Sequence, residues 1–136
     1  MAMKIRGVLE TCLYVDNLEA ARDFYESVLG LEFHSEQPGR HCFFRCGNQM
    51  LLLFRPEASH TGGELPPHGA VGPGHVAFAV PDEELDAWRD HLESQGVAIE
   101  LSVGWPHGGR SLYFRDPAGN SLELASPQIW QLVSGT

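Results

Sequence analysis

Residues 9–15, LETCLYV, lie over residues 74–80, GHVAFAV, and residues 43–53, FFRCGNQMLLL, lie over residues 113–124, YFRDPAGNSLEL. An internal repeat constrains a fold before any motif does, because each copy must build the same local structure. In the first copy, GVLETCLYV (7–15) reads as a strand, with Leu13 and Val15 on one face and Glu10, Cys12 and Tyr14 on the other. A helix follows, since Leu18, Ala21, Tyr25, Val28 and Leu29 recur at helical spacing. Asp16 serves as its N-cap with Glu19 three residues on, and Gly30 stands just past its end. Three strands come next, LEFHSE (31–36), HCFFRC (41–46) and QMLLLF (49–54), the last two joined through Gly47 and Asn48.

The second copy repeats that order. Val76, Phe78 and Val80 share one face of its first strand, and His75, Ala77 and Ala79 the other. Asp82 caps a helix whose stripe is Leu85, Trp88 and Leu92 and whose stop is Gly96. Then come VAIELSV (97–103), RSLYFRD (110–116) and NSLELAS (120–126). The pattern is strand-helix-strand-strand-strand written twice within one domain, 1–136. Module 1 covers about 7–54, a linker 55–73, module 2 about 74–126, and a tail 127–136. The linker, with Pro56, Pro66, Pro67 and Pro73, is predicted to lack regular structure and to leave His60 and His68 in solvent. The tail carries Ile129 and Trp130, apolar enough to dock on the body or on a partner.

The superposition places Glu10 on His75 and Leu51 on Glu123, four positions related by a pseudo-two-fold axis. Glu123 has the parity of Ser121 and Ala125, so Glu10, His75 and Glu123 all project from the helix-free face of a curved sheet. Each has an ordinary reading when taken alone. Glu10 suits a solvated surface carboxylate, His75 a hydrogen-bonded core histidine and Glu123 an ion pair with an arginine. Taken together, two carboxylates and an imidazole with coordination positions left open form the pattern of a catalytic divalent-metal site. An N,O,O set suits Zn, Mn, Fe, Ni or Co and does not choose among them. Cys12 and Tyr14 share the parity of Glu10 and are candidate substrate contacts, against the simpler role of filling the wall. Trp105 and Arg110, at the ends of a Gly-rich loop, are candidates for shaping substrate entry. For Arg45 and Arg115, at equivalent ends of the repeat, ion pairing is expected.

The whole chain narrows the partners. Its 136 residues carry a formal net charge of -9, which opposes binding to nucleic acid or an anionic membrane, since both need clustered cations. Three cysteines, Cys12, Cys42 and Cys46, form no C-x-x-C pair, as expected of a reducing cytoplasm. The start, MAMKIRGVLE, has no signal-peptide apolar core, and no apolar run approaches the ~20 residues of a membrane span. A small molecule or a second copy of the chain is the expected partner.

The stretches ETCLYVDNLEAARDFY (10–25), GHVAFAV (74–80) and FRDPAGNSLEL (114–124) resemble the vicinal oxygen chelate superfamily. It includes glyoxalase I, bleomycin-resistance proteins, fosfomycin-resistance transferases, methylmalonyl-CoA epimerase and extradiol dioxygenases. The resemblance runs from about Gly7 to Pro127. It implies an α+β fold of two βαβββ modules forming an eight-stranded U-shaped half-barrel, with a helix outside each module. It also implies metal ligands at Glu10, His75 and Glu123, with Glu123 carrying the catalytic role, and Leu51 where glyoxalase I has a further ligand. Glu10 stands where the dioxygenases and fosfomycin enzymes have a histidine. The implied function is a metal-dependent isomerase, lyase or thiol transferase acting on a small oxygenated substrate by Lewis-acid chelation. Alternatives are an Fe(II) ring-cleaving dioxygenase and a metal-free binding protein of the bleomycin-resistance type. Homodimers are common in this superfamily, and a homodimer is expected.

Overall fold

A computed structural model of the chain describes residues 3–61 and 63–132, so the last four residues of the expected tail lie outside it. The chain forms two compact units, Met1–Val71 and Gly72–Thr136. In the first, β1 (Glu10–Tyr14) leads through α1 (Leu18–Asp23) to β2 (Glu32–Gln37), β3 (His41–Cys46) and β4 (Gln49–Phe54). A single turn, α2 (Pro56–Ser59), follows. In the second, β5 (His75–Ala79) leads through α3 (Leu85–Ser94) to β6 (Leu101–Gly104), β7 (Arg110–Arg115) and β8 (Ser121–Ala125). The sheets have the orders β1-β4-β3-β2 and β5-β8-β7-β6. In each, the first strand pairs parallel with the last and the rest are antiparallel. The architecture is α+β, a βαβββ module in each unit.

The helix face of each sheet holds the core. Leu13, Leu51, Leu53, Cys42 and Phe44 are buried on one side of the first sheet, where Ala21 and Tyr25 are also buried. Leu112, Phe114, Leu122 and Leu124 are the corresponding buried side chains of the second sheet, with Leu85 and Leu92 of α3. This division follows from the period-2 alternation of the strands, which puts every other residue on the same side.

The register corrects one sequence expectation. Arg45 faces Met50 across the first hairpin, and Arg115 faces Ser121 across the second. The second turn is therefore one residue longer, and the counterpart of Glu123 is Leu52, not Leu51. Cys12 pairs with Leu52 just as Ala77 pairs with Glu123. Leu51 instead points to the helix side, opposite Thr11 and Phe44. A one-residue offset moves a side chain to the other face of a sheet.

Four local expectations also change. Asn17, not Asp16, caps α1, its side chain accepting from the Ala20 N–H at 3.0 Å. The helix then widens into a π turn over Phe24–Val28, which turns Phe24, Tyr25 and Val28 inward together. Asp82 is not a cap; it opens a 3-10 turn after Pro81, and its carboxylate meets Arg110 and Ser126. Strand β6 starts at Leu101 rather than Val97, because the Val97 N–H closes the end of α3 onto Leu92 O while Gly96, at φ +77°, bonds Glu93 O. That is the Schellman arrangement, and it takes Val97 away from the sheet. The linker, expected without regular structure, contains α2, begun by Pro56 at a position where its missing N–H costs nothing.

The longer hairpin is tied to β5 by one buried side chain. Asn120 donates to Asp116 Oδ2 at 3.0 Å and accepts the Gly74 N–H at 2.7 Å. Asp116 Oδ1 accepts the N–H groups of Ala118 and Asn120. Asn120→Ala removes both side-chain bonds from a buried cluster and is expected to lower unfolding free energy by about 2 kcal/mol, read from urea denaturation.

Candidate functional site

Three strands of the second unit bring one polar cluster onto the helix-free face. His75 comes from β5, Ser121 and Glu123 from β8, and Ser111 and Tyr113 from β7, with Tyr113 directly opposite Glu123. Glu123 is only 6% exposed, while the His75 side chain remains half exposed. His75 Nε2 lies 3.3 Å from Glu123 Oε1, and its Nδ1 lies 2.9 Å from the Ser121 carbonyl oxygen. A carbonyl only accepts, so Nδ1 carries a proton and Nε2 is the ring nitrogen turned toward a carboxylate oxygen. Two lone pairs at this distance repel unless a proton or a metal cation lies between them. The arrangement fits a metal: two ligand atoms ~2.1 Å from one ion and ~100° apart are separated by ~3.2 Å. A ring N–H tied to a backbone carbonyl is also the usual support of a histidine ligand.

The other carboxylate oxygen is already engaged. Ser111 Oγ donates to Glu123 Oε2 at 2.6 Å, and the Trp105 indole N–H donates to Ser111 Oγ at 2.9 Å. The Tyr113 hydroxyl also bonds this carboxylate; burial first, and then the Glu123 charge, raise it above the ordinary tyrosine range. The rings of Tyr113 and His75 stand 6.4 Å apart and nearly parallel. Neither Ser111 nor Tyr113 was singled out from the sequence. The available signal was the cross-strand register, which sets the residues around RSLYFRD against those around NSLELAS.

In the first unit, Glu10, Cys12 and Tyr14 lie on the helix-free face beside Leu52. Glu10 is exposed at the start of β1. Burial, and then the negative charge of Glu10, raise the Cys12 thiol above its ordinary value. Tyr14 does not project freely. Its hydroxyl is 2.7 Å from His68 Nδ1, and the His68 ring stands edge-on to Phe54 at 4.6 Å. The linker histidine expected in solvent is therefore a packed member of module 1. Phe43 and His41 extend the same cluster by stacking at 4.0 Å.

Trp105 reaches Ser111 as described. Arg110 is held by carboxylates, with Nη1 2.8 Å from Asp86 and Nε 3.4 Å from Asp82. Arg45 pairs with Glu32 and Arg115 with Glu100, both at 2.8 Å. Among the described residues no three His, Cys, Asp or Glu side chains come close enough together to hold an ion. His75 and Glu123 are the pair that the structure brings together.

Comparison with known proteins places these positions in context. A sequence profile described as the Glyoxalase/Bleomycin resistance protein/Dioxygenase superfamily matches residues 7–124. A crystal structure titled lactoylglutathione lyase from Agrobacterium tumefaciens is 42% identical, with a TM-score of 0.93, covering 96% of this chain and 100% of that one. Glutathione transferase FosA of Serratia marcescens is 31% identical over 82% of this chain and 74% of its own length. Biphenyl-2,3-diol 1,2-dioxygenase 3 of Rhodococcus globerulus is 35% identical over 82% of this chain, which spans 58% of that enzyme.

The Tyr14–His68 bond anchors the linker to module 1. His68→Ala is expected to cost about 1 kcal/mol in thermal unfolding, and to speed proteolytic cleavage between residues 60 and 73 relative to the rest of the chain.

Proposed function

This chain belongs to the Glyoxalase/Bleomycin resistance protein/Dioxygenase superfamily, and on that premise we propose that it is a cytoplasmic, divalent-metal-dependent enzyme of glyoxalase-like type. Its ligands are Glu10, His75 and Glu123, and its substrate is a small molecule with neighbouring oxygens. The observation that carries this reading is the His75–Glu123 pair, whose Nε2 and Oε1 face each other at 3.3 Å while Nδ1 is anchored on the Ser121 carbonyl, an arrangement that suits a cation between them. Glu10 is the repeat-related counterpart of His75 and an exposed carboxylate at the start of β1. Leu52, the counterpart of Glu123 in the repeat, has no ligand atom.

A bound divalent ion supplies Lewis-acid polarisation of substrate oxygens. The chain's own residues do the rest. Ser111 and Tyr113 hydrogen-bond the Glu123 carboxylate and orient it. The Ser121 carbonyl keeps the proton of His75 on Nδ1. Cys12, Tyr14 and Trp105 are proposed to contact the substrate. Arg110, held between Asp82 and Asp86, is proposed to act by fixing the end of the 105–109 loop.

The lyase and the transferase described above both carry glutathione in their names, which favours a reaction that joins a thiol to a small oxygenated compound. A second reading, an Fe(II) ring-cleaving dioxygenase, is supported by the 35% identity to a biphenyl-diol dioxygenase. Oxygen uptake with catechols by iron-loaded protein would identify it, whereas formation of lactoylglutathione from glutathione and methylglyoxal would identify the first.

Protein purified without chelator is expected to carry close to one equivalent of divalent metal by elemental analysis. His75→Ala and Glu123→Ala should each weaken metal affinity by more than about tenfold, and Glu10→Ala should do so to a smaller extent. Equal, low metal content in wild type and Glu123→Ala under metal-replete conditions would refute the reading.

A homodimer is the proposed assembly, because Trp130 and Leu132 are exposed apolar side chains at the end of the second unit, 75% and 64% accessible. Light scattering should give twice the 15.0 kDa chain mass; a mass of one chain would contradict it.

A further inference from the structure

We propose that Ser111, itself held by Trp105, is a positioning residue that makes Glu123 a one-oxygen ligand, and that the 105–109 loop is thereby coupled to occupancy of the metal site. The inference rests on the metal reading given under Proposed function. The direction of the first bond is forced by chemistry. An indole N–H can only donate, so Trp105 donates to Ser111 Oγ at 2.9 Å. The single proton on Ser111 Oγ is then directed to Glu123 Oε2, 2.6 Å away. An ionised carboxylate can only accept, and Tyr113, which bonds both Ser111 and Glu123, is a second β7 hydroxyl in the same cluster. Ser111 is fully buried and Glu123 nearly so. Water therefore has little access to replace either bond. With Oε2 committed, Oε1 is the oxygen that faces His75 Nε2.

The far end of the chain is anchored by backbone. The Trp105 N–H bonds Gly109 O and the Gly108 N–H bonds Trp105 O, both at 3.0 Å, which closes the loop on itself. Gly109 has φ +84°, and a Cβ there would come within 2.8 Å of Ile129 and Ser126. The neighbouring Arg110 N–H bonds Ser126 Oγ. The indole is thus presented from a loop pressed against the Pro127–Trp130 turn, and a shift at Glu123 can be passed to it through Ser111. A cation held at Oε1 would withdraw negative charge from Oε2. That would weaken the Ser111 bond and change the environment of the Trp105 N–H, two hydrogen bonds away.

Zn(II) titration followed by the indole N–H resonances tests this on the full-length protein. In wild type, Zn(II) should move the Trp105 signal and leave those of Trp88 and Trp130 in place. Ser111→Ala should lower Zn(II) affinity by about tenfold and abolish the Trp105 response, while Ser111→Thr, which keeps the hydroxyl, should preserve both. Trp105→Phe removes the N–H alone and should weaken Zn(II) binding several-fold, which keeps the test informative if Ser111→Ala does not fold. Unchanged Zn(II) affinity in Ser111→Ala or Trp105→Phe would overturn the positioning role while leaving the metal reading intact, as would a Trp105 signal that ignores Zn(II) bound by wild type. Failure of wild type to bind Zn(II), or binding indifferent to Glu123→Gln, would overturn the metal reading and this inference with it.

Discussion

Parallel pairing of the first strand with the last in each module is the constraint on which the rest of the structure depends. A parallel pair cannot be closed by a tight turn, so the chain must cross over, and the helix between the first and second strands performs that crossing. The crossing places one sheet face against the helix and leaves the other free for polar residues. The register of the pair then decides which side chains meet. In the second unit it sets Glu123 beside Ala77, a small neighbour that leaves room for the His75 ring to lean over from the adjoining position. In the first unit the same geometry sets Leu52 beside Cys12. Identical scaffolding therefore gives one position rich in ligand atoms and another without them.

The second constraint is electrostatic. A nearly buried carboxylate is costly unless it is hydrogen-bonded or paired. Glu123 meets this requirement from two sides, with Ser111 and Tyr113 on the inner side and His75 toward the open face. The inner partners are neutral donors, so the negative charge is solvated but not cancelled. Arginines are absent from this balance because each described one nearby is engaged elsewhere, Arg110 with Asp82 and Asp86, and Arg115 with Glu100.

Much of this was legible in the sequence, for a definite reason. The repeat survives at residue level, and strand parity alone assigns Glu10, Cys12 and Tyr14, or His75, Ala77 and Ala79, to one face. What parity cannot supply is the register between strands, which depends on turn length. The single extra residue in the Asp116–Asn120 turn was enough to misplace the counterpart of Glu123 at Leu51. Ser111 and Tyr113 escaped notice for the same reason, since their importance comes only from standing across from Ala125 and Glu123. His68 was misread because its partner, Tyr14, is 54 residues away, and composition near prolines carries no sign of such a contact. Asn17 displaced Asp16 as a cap because adjacent Asp and Asn are chemically equivalent in that role, and the backbone path decides between them.

The central claim is that His75 Nε2 and Glu123 Oε1 are two ligands of one ion. Anomalous diffraction from crystals of metal-loaded protein tests it most directly. The expected result is a single peak ~2.1 Å from both atoms, with Ser111 still bonded to Glu123 Oε2. A peak bound elsewhere, or an ion held through Oε2 with His75 turned away, would contradict it.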